Sequence, residues 1–331
     1  MTSAEKLRIG FLGTGRIGTM RMQSLLDSGL IEAAAIADPS PQMLDVALEL
    51  APKAKVVDGL EGLLAEQLDG VVIATPSALH AAQSIQALEA GTAVFCQKPL
   101  GRTEAEVAAV VEASRRADRL LGVDLSYRHT AGMVAIRDLF RQGSLGKVFG
   151  IDLVFHNAYG PDKPWFFDKA LSGGGCVMDL GVHLVDLALW GLDFPEIVSA
   201  TGNLFSKGQP IGPHDDTVED YASATLTLAG GTVLRLACSW HLNAGRDAII
   251  EADFYGTQGG ASLKNQNGSF FDFGAWHHTG TSSQVLADPE RDWPGGAIVD
   301  WAKKLSTGAR FDPEAEHFTA VSAALDQIYG R

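Results

Sequence analysis

Residues 10–18 read GFLGTGRIG. The run that contains their start, LRIGFLG, is short, apolar and closed by glycine, the pattern of a strand buried on both faces. The next stretch, RIGTMRMQSLLDSG, has helical character and ends at Gly29, a natural helix stop. Gly13, Gly15 and Gly18 therefore stand on a strand-to-helix turn at G-x-G-x-x-G spacing. In that setting the first glycine permits the tight turn, the second lets a pyrophosphate approach the backbone, and the third lets helix and strand pack closely. With Arg16 and Ile17 they form the expected dinucleotide loop, where the helix N-terminus presents N–H groups and partial positive charge. The following strand, IEAAAIAD, ends at Asp38, twenty residues after Gly18. A carboxylate there suits the adenosine ribose hydroxyls and repels a 2′-phosphate. No Arg or Lys follows Asp38 until Lys53, so NAD rather than NADP is the expected cofactor.

Outward from this turn, strand and helix keep alternating to about residue 124. SPQMLDVALEL has Ser40 at an N-cap and Pro41 in the first turn. GVVIATP precedes the helix SALHAAQSIQALEAG, AVFC precedes TEAEVAAVVEASRRA, whose Thr103 and Glu106 have capping-box spacing, and LLGVDL closes the series. Such alternation predicts an α/β domain, residues 1–124, with a doubly wound parallel sheet whose ligands sit at the carboxyl ends of the strands. Ala74, Thr75, Pro76 and Ser77, with His80 just beyond, are expected to lie along the cofactor, as are Gln97 and Lys98. A lysine at the mouth of a buried strand is costly unless its charge is used. Pro99 restrains it to extended backbone.

Beyond residue 125 the pattern changes. GMVAIRDLFRQG, GGCVMDLGVHLVDLALWG and PEAEHFTAVSAALDQIY read as helices. VFGIDLVFHN, YASATLTL, TVLRLACSW and IIEADFYG read as strands separated by turn chemistry. Residues 125–331 are thus expected to form a second α/β domain, a mostly antiparallel sheet with helices on one face. Net charge is −14 and no Lys/Arg cluster stands out, which argues against a nucleic-acid partner. No apolar run is long enough to span a membrane, and the opening MTSAEKLRIGFLG leaves no room for a signal peptide, so a cytoplasmic chain is expected. Cys96, Cys176 and Cys238 have no metal-ligand spacing and fit a reduced compartment. His214, Asp215 and Asp216, and the pair His277–His278, lie in loop-like sequence, and no metal site is expected.

Asp179, His183, Asp186 and Trp190 fall at i, i+4, i+7 and i+11 of a helix that is apolar on most other sides. Two carboxylates and an imidazole there are expensive unless paired or used. Asp179, one turn before His183, can fix the tautomer of a general base, while Asp186 reads as structural. Gly173–Gly175 allow a close approach to the helix start. A nicotinamide cofactor needs a substrate carbon that gives or takes hydride. If that carbon bears a hydroxyl, His183 can take its proton and Lys98 can stabilise the developing alkoxide.

In order, the glycine loop, QKP after its strand, SYRH and GGGCVMDLGVHLVD resemble the glucose–fructose oxidoreductase, inositol dehydrogenase and rhizopine catabolism (Gfo/Idh/MocA) family. The late VEDYASATL and FYGTQGG segments extend the likeness over nearly the whole chain. The resemblance implies a Rossmann domain, then an α/β domain with an open-faced sheet used for homodimer or homotetramer contacts. It implies NAD(P)-dependent oxidation or reduction of a sugar or cyclitol. The family's motif lysine, aspartate and histidine match Lys98, Asp179 and His183, and its Tyr/Arg pair matches Tyr127 and Arg128, facing cofactor and substrate. His156, Asn157 and Trp165 fall in segments that contact substrate. One position departs: the usual glutamate before the lysine is Gln97, which keeps the size and the acceptor oxygen but removes the charge. Two other readings share these residues, an NAD-dependent glycosidase working by transient oxidation and a non-catalytic NAD-binding regulator.

Overall fold

Six short strands carry the glycine loop: β1 Leu7–Leu12, β2 Ile31–Ala37, β3 Lys55–Val56, β4 Gly70–Ile73, β5 Ala93–Cys96 and β6 Leu121–Val123. The computed structural model describes residues 6–289 and 293–331, so residues 1–5 of the opening segment lie outside it. The strands pair in the order β3-β2-β1-β4-β5-β6, every pair parallel. This is the doubly wound order, with its switch point between β1 and β4. β4, β5 and the Ile9–Leu12 part of β1 are wholly buried, which explains their near-continuous apolar runs. Helices Arg16–Asp27, Pro41–Leu50, Gly59–Leu64, Ser77–Glu89 and Glu104–Ala117 connect them. Ser40 accepts a hydrogen bond from the Met43 N–H, as its cap position predicts. β3 and Gly59–Leu64 were not legible, because a two-residue strand with both side chains exposed has no periodicity to read.

The chain divides into two compact units. The first comprises the chain through Gly101, Ala105–Asp124 and Gly295–Thr319. The expected second domain, 125–331, is therefore interrupted: Gly295–Thr319 belongs to the first unit. The cause is packing. Trp301, on helix Gly296–Ser306, sits where side chains are missing from β4 and β6, the two strands that flank β5. A Cβ on Gly70 would come within 2.6 Å of its ring, and one on Gly122 within 2.8 Å. Phe95 completes the contact at 5.8 Å between ring centroids.

The second unit comprises Arg102–Glu104, Leu125–Pro294 and Ala320–Arg331. Its strands are β7 Val148–Asn157, β8 Ile197–Ser206, β9 Gln209–Ile211, β10 Tyr221–Leu228, β11 Val233–Ser239, β12 Ala248–Gly256, β13 Gly260–Asn265, β14 Phe273–Thr279 and β15 Ser282–Ala287. They form one sheet in the order β15-β14-β13-β12-β7-β11-β10-β8-β9, antiparallel except for the β7–β11 pair. Alternation along β7 buries Ile151, Leu153 and Phe155 and leaves Asp152, Val154 and His156 partly exposed. The buried face packs with Met133 and Ile136 of helix Ala131–Arg141, with Leu184 and Leu187 of helix Val182–Gly191, and with Leu325 and Ile328 near the C-terminus. On the opposite face Arg235 forms a two-bond pair with Asp152, both at 2.6 Å.

Candidate active site

In the first unit the three loop glycines do different work. Gly13 has φ +85°, a conformation open to glycine, and a Cβ there would lie 2.6 Å from the Ala74 carbonyl oxygen. A Cβ on Gly18 would lie 2.1 Å from the Gly13 carbonyl oxygen, so helix and loop touch backbone to backbone. A Cβ on Gly15 would meet nothing within 4 Å. Gly15 is also the N-cap of helix Arg16–Asp27 and gives it no side-chain cap. Open space in front of an uncapped helix N-terminus fits the pyrophosphate of a dinucleotide. Arg16 and the exposed Ile17 form the first turn of that helix.

Asp38 does more than the sequence suggested. Its Oδ2 accepts from the Thr14 N–H at 2.6 Å and its Oδ1 accepts from the Ser40 N–H at 2.8 Å. The carboxylate thus holds the glycine loop as well as standing at the end of β2. Thr14, fully buried, is a loop residue that the motif spacing alone did not single out.

The ends of β4 and β5 are tied together. The Ala74 N–H donates to the Leu12 carbonyl at 2.8 Å, and Thr75 Oγ1 donates to Gln83 Oε1 at 2.6 Å. Pro76 and Ser77 open the next helix, and Ser77 is buried. One turn in, His80 bridges two segments: Nδ1 lies 2.7 Å from the Pro99 carbonyl oxygen and Nε2 lies 2.6 Å from that of Thr75. Burial lowers its pKa below the ordinary value; the two carbonyls oppose this and the Lys98 charge adds to it. Lys98 is half-buried beside buried Gln97, and the Lys98–Pro99 peptide is cis.

In the second unit a π-helical turn, Val177–Gly181, precedes the α-helix Val182–Gly191. The expected stripe assumed α geometry throughout. The wider turn re-aims Asp179 relative to the residues after it. Asp179 accepts from Trp240 Nε1 at 3.1 Å, and Trp240 went unread as a site residue because it follows β11, distant in sequence. Asp179, His183 and Trp190 are half-buried and Asp186 is buried. Tyr127 packs its ring on His183 at 4.8 Å between centroids and on Phe155, Phe273 and Trp293. Burial, and then the Asp179 charge, push the Tyr127 phenol above its ordinary pKa. Arg128 is committed to Asp186: its Nε donates to Oδ2 at 2.8 Å, and Nη2 bonds to Oδ1. His156 meets Ser239 Oγ at 2.9 Å and stacks on Tyr221, and burial lowers its pKa. Asn157 accepts from the Tyr159 N–H at 2.8 Å, and Trp165 stacks on Phe166. Among the described residues no group of three or more His, Cys, Asp or Glu could hold a metal ion.

The start of the π-helical turn is held by Glu219, a residue that sequence reasoning missed. Its carboxylate accepts from the N–H groups of Gly175 and Val177 at 3.0 and 2.9 Å and from the Tyr329 hydroxyl at 2.8 Å. Tyr329 in turn accepts from the Met178 N–H at 3.1 Å. This approach explains two of the glycines: a Cβ on Gly175 would lie 1.9 Å from the Glu219 carbonyl oxygen, and one on Gly174 would lie 2.1 Å from the Tyr329 hydroxyl. Burial raises the Glu219 pKa, against the hydrogen bonds from Val177, Tyr329 and Gly175. The folded state therefore holds this proton to higher pH than the unfolded chain does. Stability from this group is greatest below the ordinary carboxylate pKa and falls as pH rises through the raised value. Glu219→Gln should flatten that fall, as read by urea unfolding at pH 5 and pH 8. An unchanged pH slope would show that Glu219 titrates normally in the folded state.

Comparison with known proteins gives two family matches. Residues 7–125 match the oxidoreductase family with an NAD-binding Rossmann fold, and residues 133–262 match the GFO/IDH/MocA C-terminal domain. The chain is 28% identical over 275 residues to D-glucoside 3-dehydrogenase of Escherichia coli (strain K12), covering 80% of this chain and 78% of that protein. Its fold is similar to that of a levoglucosan dehydrogenase in complex with NADH and levoglucosan, with a TM-score of 0.83, 20% identity, and coverage of 98% of this chain and 97% of that one. It is similar to that of a 3-ketoreductase from Actinomadura kijaniata in complex with NADP, with a TM-score of 0.82, 21% identity, and coverage of 98% of both chains.

Proposed function

The chain belongs to the GFO/IDH/MocA family of NAD-binding oxidoreductases, and from that premise we propose that it is an NAD-dependent dehydrogenase of a sugar or cyclitol. The observation that carries the reading is the glycine loop. Its open space at Gly15, its uncapped helix and its Asp38 anchor stand at the switch point of a parallel sheet that carries Lys98 two strands away. The name of the Escherichia coli relative, a glucoside 3-dehydrogenase, supports a carbinol carbon of a sugar-like ring as the substrate class.

When bound, the nicotinamide supplies a hydride acceptor or donor. The residues of the chain do the rest. Gly13, Gly15, Arg16, Ile17 and Gly18 seat the pyrophosphate and Asp38 takes the ribose hydroxyls. The Ala74–Ser77 segment and Gln97 line the cofactor, and His80 holds their two segments together. Lys98 stabilises the charge that builds on the carbinol oxygen, and His183, oriented by Asp179, takes the hydroxyl proton. Tyr127, Arg128, His156, Asn157 and Trp165 complete the proposed substrate contacts. The open sheet face is the proposed surface for a homo-oligomer.

A panel of polyols, cyclitols, glycosides and aldoses with NAD tests the reading, with NADH formation as the signal. Release of nitrophenol from a nitrophenyl glycoside without net NADH would replace it by hydrolysis through transient oxidation. NADH should also bind at least about tenfold more tightly than NADPH, because the Asp38 carboxylate opposes a 2′-phosphate. Equal affinities in a fluorescence titration would remove Asp38 from that role.

A further inference from the structure

We propose that Asp124 is a positioning residue for Lys98, acting through Gln97. The proposal rests on the role of Lys98 given above. Asp124 follows β6 and is 2% exposed; Arg21, at 8%, and Gln97, at 9%, meet it. Arg21 Nε donates to Asp124 Oδ2 at 2.6 Å, and the Gln97 amide donates to the same oxygen. Arg21 lies on the helix that opens at the glycine loop, and Gln97 immediately precedes Lys98. A buried chain of three side chains therefore joins the dinucleotide helix to the segment that presents the lysine.

The backbone strengthens the link. The Asp124 N–H donates to the Cys96 carbonyl at 3.0 Å, and the Gln97 N–H donates to the Ile73 carbonyl at 2.9 Å. Gln97 is thus fixed from β4 through its main chain and from β6 through its side chain. Its amide must turn Nε2 toward the carboxylate, which fixes the orientation of the terminal amide. Only a donor satisfies Asp124 here. A glutamate at position 97 would face buried Asp124 with like charge. The glutamine is therefore the partner that Asp124 requires, and the pair holds its one negative charge on the β6 side.

Gln→Glu and Asp→Asn each preserve shape, so exchanging the two moves the charge across one hydrogen bond and leaves the packing intact. Four full-length proteins decide the matter: wild type, Gln97→Glu, Asp124→Asn and the Gln97→Glu/Asp124→Asn exchange. Each is measured for melting temperature, NADH dissociation constant, and kcat and KM on the best carbinol substrate of the panel. Either single change should lower the melting temperature by several degrees. Each should lower kcat about tenfold or more, with KM for the carbinol held within about threefold, because a misplaced catalytic group loses orientation rather than substrate binding. The exchange should bring kcat back to within about threefold of wild type, as coupled neighbours do. Unchanged kcat in the single variants, or an exchange no better than the worse single variant, overturns the proposal while wild-type turnover stands. A wild type that neither oxidises a carbinol of the panel nor reduces the corresponding carbonyl overturns the dehydrogenase reading and this role with it.

Discussion

Lys98→Ala and His183→Ala should each lower kcat for carbinol oxidation by about 10²- to 10⁴-fold, the range for losing a proton-transfer group or an electrostatic stabiliser of the transition state. The two losses should differ in kind. In the proposed mechanism His183 takes the hydroxyl proton, so His183→Ala should leave the NADH dissociation constant within about threefold and flatten the acid limb of the pH–rate profile. Lys98 is proposed to stabilise negative charge on the oxygen, so Lys98→Arg, which keeps the charge but not the shape, should recover only part of the loss. The double variant should be little worse than either single variant, since residues acting on one step are not additive. Stopped-flow hydride transfer and NADH titration check each statement. Turnover undiminished in both single variants would remove these residues from the chemistry.

Gly18→Ala and Gly15→Ala should separate folding from cofactor binding, although the motif treats these glycines alike. At Gly18 the added Cβ would lie 2.1 Å from a backbone oxygen of Gly13, which cannot turn aside. The helix must move off the loop, at an expected cost of about 1–3 kcal/mol of stability, with dinucleotide binding lost as well. At Gly15 φ is −62° and the Cβ would meet nothing within 4 Å. Gly15→Ala should therefore melt within about two degrees of wild type, since nothing in the fold is displaced. It should nevertheless bind NADH at least about tenfold more weakly, because its methyl group enters the space a pyrophosphate needs. Differential scanning fluorimetry with and without NADH measures both effects. A Gly15→Ala protein that binds NADH normally would place the pyrophosphate elsewhere.

Local signals carried the first sheet almost intact. Buried parallel strands are apolar throughout, and Ser40, Gly29 and Gly91 mark helix ends by chemistry that acts within a few residues. What escaped were features set by distant partners. Helix Gly296–Ser306 lies some 170 residues after the unit it joins, and its membership depends on Trp301 filling the room left by Gly70 and Gly122. Gly174 and Gly175 announced a close approach without saying to what; Tyr329 and Glu219, 155 and 44 residues away, are the answer.

The sequence by itself determined the strand–loop–helix at residues 7–27, the acid at position 38, the lysine at position 98 and hence the family, because each depends on residue types at short fixed spacings. The tertiary structure alone decided the partners of the buried and half-buried charges. Asp38 turned back to Thr14, Arg128 went to Asp186, Trp240 reached Asp179, and Asp124 called for a donor at Gln97. A buried carboxylate must find its hydrogen bonds wherever folding brings donors within about 3 Å, and sequence separation places no limit on where they come from.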